Sequence, residues 1–185
     1  MKTAIFKNIN MRTVLSQTAM QQRHVKHPFG AVVDSNSKVL ILGSVPSLKS
    51  VENNFFYMHP HNRFWRVLSL LFGEDFYSAT IGERKRFLLK HRIALYDSVE
   101  ECDILGSSDA HISNVIYADI PSLLNNSQIS HIFCNGKASY TYLTKGHPSL
   151  TSITTLLPST SPANAAYSLD RLTNEWKVIK KYLDD

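Results

Sequence analysis

Lys38-Val-Leu-Ile-Leu-Gly43 decides the fold of this chain. Four consecutive apolar residues between a lysine and a glycine are too few for a helix, and they leave no polar face. That is the signature of a strand covered on both sides. The same signature returns at Arg92-Ile-Ala-Leu-Tyr-Asp97, at Ser130-His-Ile-Phe-Cys-Asn135 and at Ser152-Ile-Thr-Thr-Leu-Leu157, the last stopped by Pro158. Helical segments separate these runs. Phe64, Leu68 and Leu71 recur at helical spacing, with Trp65 and Phe72 beside them, between Asn62 as N-cap and Gly73 as stop. Residues 83–91 read as a basic helix with Phe87 and Leu88 facing inward, and 120–124 as a short helix. Leu169, Leu172, Trp176, Ile179 and Leu183 step by three and four, the stripe of a closing amphipathic helix.

Buried strands alternating with helices predict an α/β fold: a three-layer α/β/α sandwich around a central, mainly parallel four-stranded sheet. Ligands of such sheets sit beyond the carboxyl ends of the strands. Here those ends are Gly43-Ser-Val-Pro-Ser47, Tyr96-Asp97-Ser98, Asn135-Gly136 and Leu157-Pro-Ser-Thr-Ser-Pro-Ala163. Together they form a rim of small, polar and proline residues, where a site is expected.

Composition narrows the class. The chain has 185 residues, 43% of them hydrophobic and 19% charged, enough apolar matter for a full core. No apolar run reaches membrane-spanning length, so no membrane partner is expected. The formal charge of +5 lies entirely in Lys2, Lys7, Arg12, Arg23 and Lys26, because the first acid is Asp34. Acids and bases balance over 34–185, so binding of a polyanion has to be argued from local motifs and not from bulk charge. Residues 1–27 show no sustained period and read as a flexible basic extension, with 28–185 as the folded domain. A secretory signal is not expected there, because Lys7, Asn8, Asn10 and Arg12 interrupt the apolar core such a signal needs. Cys102 and Cys134 are too few for a four-thiolate cluster, and a reduced cytoplasmic setting is the simplest reading.

The loop Gly43-Ser-Val-Pro-Ser47, the stretch Phe56-Tyr57-Met-His-Pro-His-Asn62-Arg-Phe-Trp65 and the loop Leu157-Pro-Ser-Thr-Ser-Pro-Ala163 follow one another in an order that resembles the uracil-DNA glycosylase superfamily. More narrowly, they are similar to its hypoxanthine-DNA glycosylase branch. The resemblance spans about Pro28 to Leu183 and includes Ile93-Ala-Leu-Tyr-Asp97 and Asn135-Gly-Lys-Ala138. Two departures from sister families stand out. Val45 occupies the first-loop position where several relatives carry an acid or an asparagine to hold the attacking water. Leu157 occupies the position where uracil-specific relatives carry a histidine.

The resemblance implies a monofunctional DNA glycosylase without a cofactor. It would flip a deaminated base, hypoxanthine in deoxyinosine, out of single- or double-stranded DNA and hydrolyse its glycosidic bond. Asn62 is then the catalytic residue, beside its plainer role as a helix cap. Asp97, Tyr57, Ser44 and Val45 would bind the base: Asp97 by accepting the N1 proton of hypoxanthine, Tyr57 by stacking. For Asp97 the plain alternative is a cap on a following helix, and for Tyr57 it is core packing, as expected for Phe56. Ser47, Ser159 and Ser161 would donate hydroxyls to backbone phosphates, stiffened by Pro162 and its fellow prolines. Ala163 and Asn164 would enter the duplex, unless Asn164 only caps the last helix. As turn formers, the serines need no such role. His59 and His61 lack a carboxylate or thiolate at ligand spacing, and no metal is expected. Arg84, Lys85, Arg86, Lys90 and Arg92 read as a solvated face. The competing readings are excision of uracil, xanthine or another mismatched base, and a nucleic-acid-binding module that no longer cleaves. A monomer suits an enzyme that scans DNA.

Overall fold

The computed structural model describes residues 22–105 and 112–183. Four parallel strands form the central sheet: β2 (Val39–Gly43), β3 (Ile93–Asp97), β6 (His131–Asn135) and β7 (Thr154–Leu157), in the order β3-β2-β6-β7. Helices α1 (Leu48–Glu52), α2 (Phe64–Phe72) and α3 (Ile81–Lys90) connect β2 to β3. Helix α4 (Ile120–Asn125) precedes β6, α5 (Lys137–Gly146) follows it, and α6 (Leu169–Trp176) closes the chain.

The alternation of side chains along β2 builds both cores. Val39 and Ile41 face one side, where Trp65 and Leu68 of α2, Leu88 of α3 and Leu172 and Trp176 of α6 pack with Phe133. Leu40 and Leu42 face the other, against Ile120, Cys134 and Leu143. Every residue of β2 is buried, as the unbroken apolar run requires. The expected three-layer α/β/α sandwich and its parallel four-stranded sheet are therefore present.

A second sheet has no counterpart in the sequence reading. The strands β1 (Gln22–Lys26), β4 (Val99–Leu105) and β5 (Ile112–Tyr117) pair antiparallel in the order β1-β4-β5. Only Ser98 separates β3 from β4, so the chain passes straight from one sheet into the other. Asp97 is therefore no cap of a following helix. The expected boundary at residue 27 also moves. Lys26 pairs with Glu101 in the sheet and through a salt bridge of 2.7 Å, Val25 is buried, and His27 packs into the core. Residues 22–27 thus belong to the folded body, and the rest of the expected extension lies outside the described residues.

Smaller differences have local causes. Helix α2 begins at Phe64, one residue later than expected, while Gly73 stops it in the left-handed region at φ 71°. Residues 148–153 wind into a 3-10 turn from Pro148, which delays β7 to Thr154. The closing helix tightens to 3-10 geometry over Lys177–Tyr182, and Ser168 caps its start, not Asn164. Arg84 is not part of a solvated face. Its guanidinium bonds Phe76 O at 2.9 Å and Tyr77 O at 2.7 Å and lies over the Trp65 ring. No helix among the described residues is long and apolar enough to cross a membrane.

Candidate active site

The carboxyl ends of β2, β3 and β6 and the loop after β7 enclose a cavity of about 200 Å³. Ser44, Val45, Ser47, Tyr57, Asn62, Asp97, Ser159, Ser161 and Pro162, all named from the sequence, line it. So do Gly43, Phe56, His59, Asn135 and Thr160. Ala163 and Asn164 lie outside this lining, and the Asn164 side chain is tied back to Ser159 O at 2.9 Å.

The late loop is held to the sheet by a ladder of polar contacts. Asn135 Oδ1 accepts Thr160 N at 2.9 Å, while Asn135 Nδ2 donates to Thr160 Oγ1 at 2.9 Å. Thr160 Oγ1 donates in turn to Asn62 Oδ1 at 3.0 Å. Gly136, at φ 97°, lets the two segments approach; a Cβ there would sit 2.7 Å from Ser159 Cβ. Trp176 Nε1 donates to Pro158 O at 3.0 Å from the far side. Arg63 completes the fastening. Its guanidinium donates to Thr160 O, to Ser161 O at 2.6 Å, to Asn164 O at 3.0 Å and to Tyr167 O.

The Asn62 amide is oriented by this ladder. Oδ1 accepts both Thr160 Oγ1 and Phe64 N, the latter at 3.0 Å, which uses both carbonyl lone pairs. Its NH2 group has no partner among the described residues. Arg63, not Asn62, is the N-cap of α2, but the Asn62 carbonyl still holds the first helical N–H from one residue outside, and its amide NH2 remains beside the cavity.

Asp97 is the one carboxylate in the described lining. Its Oδ2 meets His27 Nε2 at 3.0 Å, and both side chains are almost wholly buried, at 6% and 0% exposure. Oδ1 packs on Gly43 so closely that a Cβ there would lie 2.1 Å away. Beside it lies the Tyr57 hydroxyl, buried and without a hydrogen-bond partner among the described residues. Burial, and then the negative charge of Asp97, push its pKa far up, so Tyr57 stays a neutral donor. Tyr57 adopts φ 55°, a costly conformation for an aromatic residue, and one face of its ring stacks on Phe64 at 4.0 Å.

The serines split into two kinds. Ser47 caps α1, accepting Ser50 N at 3.2 Å. Ser159 accepts Ser161 N at 3.2 Å and Ser161 accepts Ala163 N at 3.3 Å, which leaves both hydroxyl protons without an acceptor among the described residues. Val45 packs on the apolar cluster under the second sheet, and its side chain offers the cavity no polar atom. Cys134 lies beneath the site, its thiol pushed up to about 11 by burial, and is no thiolate at neutral pH. Among the described residues, no three His, Cys, Asp or Glu side chains converge as a metal-ligand set.

Sequence reasoning missed Thr160, Arg63 and His27. Thr160 stands inside a loop whose serines drew attention, and Arg63 sits next to Asn62 in a helical run. For Asn135 the strand-end rule gave the place but no role.

A small cavity thus lies at the carboxyl ends of the parallel strands, lined by an amide, a carboxylate and several hydroxyls. The profile of the Uracil DNA glycosylase superfamily matches residues 29–184. A protein named Hypoxanthine DNA glycosylase from Methanosarcina acetivorans is 31% identical over 162 residues, 85% of this chain and 99% of the relative. One of the same name from Methanosarcina barkeri is 32% identical over 118 residues, 63% of this chain and 75% of the relative. The solution NMR structure of a candidate uracil DNA glycosylase from Methanosarcina acetivorans superposes with a TM-score of 0.73 at 30% identity, covering 88% of this chain and all of that one. By class, then, the protein is a DNA N-glycosylase, and its substrate is DNA. The chain belongs to the uracil-DNA glycosylase superfamily.

Proposed function

We propose that the enzyme excises hypoxanthine from deoxyinosine by hydrolysis and leaves an abasic site. The observation that carries this reading is the Asn62 amide, whose carbonyl is saturated by Thr160 and Phe64 and whose NH2 is free. Breaking the glycosidic bond leaves negative charge on the base and positive charge on the sugar. A fixed donor in a dry cavity stabilises the departing base without reorganising. Asn62 is that donor. Water adds to C1′ of the sugar cation, and its proton leaves to solvent, so no strong general base is required once bond breaking runs ahead of attack. Val45 and Leu157, where relatives carry polar groups, fit such a mechanism.

Asp97 Oδ1 accepts the N1–H of the flipped base, and the free face of Tyr57 stacks on it. Ser159 and Ser161 grip the phosphates that flank it. The described cavity lining holds no lysine, so no amine is placed to attack the sugar, in keeping with a monofunctional glycosylase. The names of the two Methanosarcina relatives support hypoxanthine as the base.

The test uses duplexes with one inosine or one uracil, followed by alkaline cleavage of abasic sites. Cleavage at inosine is expected, falling roughly 100- to 1000-fold in Asn62→Ala while affinity for abasic DNA is kept. Unchanged turnover in that variant removes Asn62 from the mechanism. Preferential cleavage at uracil overturns the choice of base.

A further inference from the structure

His27 meets Asp97 at the floor of the cavity from outside the strand-end loops that line it. Its ring is fully buried, with Phe29, Tyr96 and Phe56 at centroid distances of 4.6, 4.8 and 5.7 Å. Nδ1 lies 2.6 Å from Phe29 O, and a carbonyl can only accept, so Nδ1 carries a proton. Nε2 lies 3.0 Å from Asp97 Oδ2. Two bare lone pairs do not face each other at that distance in a dry site, so a second proton lies on the line between Nε2 and Oδ2. Whether it resides nearer nitrogen or oxygen, Oδ1 stays without a proton. Oδ1 has no hydrogen-bond partner among the described residues, and both Asp97 and its close neighbour Gly43 line the cavity.

We propose that His27 is a positioning residue of the base pocket: it keeps the shared proton on the Oδ2 side of Asp97, makes Oδ1 an acceptor only, and so selects bases with a ring N–H beside a carbonyl. This rests on the base-excision reading above. Deamination converts an amino group beside a bare ring nitrogen into a carbonyl beside a ring N–H. An acceptor-only oxygen bonds the deaminated edge and meets a lone pair on adenine. The residue that tells damaged from normal base is therefore Asp97, and its discrimination depends on a histidine 70 residues away in sequence.

The experiment has two arms. In the first, duplexes carry the cleavage-resistant 2′-fluoroarabino form of inosine or of adenosine, and affinities are compared. The parent is expected to favour the inosine probe by at least ~10-fold, the effect of one buried polar mismatch. His27→Phe, which removes the partner of Oδ2 and the lock on the carboxyl group, is expected to narrow that ratio to within about 3-fold. His27→Gln, which returns a donor to Oδ2, is expected to restore most of it. A His27→Phe variant as selective as the parent overturns the role of His27 alone. A parent that prefers neither probe overturns the selection together with the reading it rests on. The second arm needs no DNA: proton NMR of the parent is expected to show a strongly deshielded, slowly exchanging proton that correlates with the His27 ring and shifts in Asp97→Asn. Its absence overturns the shared proton even where His27→Phe fails to fold.

Discussion

Thr160 Oγ1 donates to Asn62 Oδ1 across 3.0 Å and joins two residues 98 positions apart. Because the same hydroxyl accepts from Asn135 Nδ2 at 2.9 Å, one threonine relays the end of β6 to the amide at the mouth of α2. Thr160→Val keeps the shape and removes both contacts. An unsatisfied buried donor costs about 1–3 kcal/mol. Loss of that alignment at the reacting base slows excision by roughly ten- to a hundredfold. Single-turnover assays on inosine DNA check this, with affinity for abasic DNA expected to hold.

Gly43→Ala tests how tightly the acid is seated. The new Cβ would lie 2.1 Å from Asp97 Oδ1 and 3.0 Å from Tyr57 Oη, so the carboxylate has to move. Overpacking of this kind costs about 1–3 kcal/mol. The expected outcome is a lower Tm together with loss of excision. A variant with full activity would show that Asp97 tolerates displacement.

Arg63→Lys tests the fastening of the late loop. Lysine carries one point donor group where the guanidinium bonds four carbonyls, of Thr160, Ser161, Asn164 and Tyr167. Hydrogen bonds to a charged group contribute about 1.5–3 kcal/mol each, and carbonyls at the surface recover part from water. Limited proteolysis is expected to open within 158–167, with excision reduced and the remainder of the fold protected.

Stability is expected to fall in two steps on acidification. Burial lowers the pKa of His131, so the unfolded chain binds its proton first. The contribution of His131 is complete above the ordinary value of 6.5 and is lost as pH drops below it. Lower still, the Lys90 contact holds Glu74, the Thr80 cap holds Glu83 and Lys26 holds Glu101 below the ordinary 4.5. Their contributions are present above 4.5 and vanish as pH falls through the lowered values. Tm measured against pH checks both steps, and His131→Phe is expected to remove the first.

The central sheet was legible because its signal is local. Residues 39–42 are apolar without a break, and a strand buried on both faces needs only that run and a stop. The strand-end rule then pointed to Asp97 and the late serines before any contact was known, and the family resemblance added Asn62 and Tyr57. The second sheet gave no such signal. Register shifts between Val99, Glu101 and Asp103 break the period of two along β4, and β1 holds one apolar residue, Val25, among polar ones.

By itself, then, the sequence determined the layers of the fold and the loops that rim the cavity, since periodicity and turn chemistry act within a few residues. Tertiary structure alone decided the partners. His27 against Asp97, Thr160 against Asn62 and Arg63 against four carbonyls are pairs 70 or more positions apart, and each hydrogen bond depends on where the whole chain has already folded. A buried polar group must find a partner, but nothing in its own neighbourhood states which one.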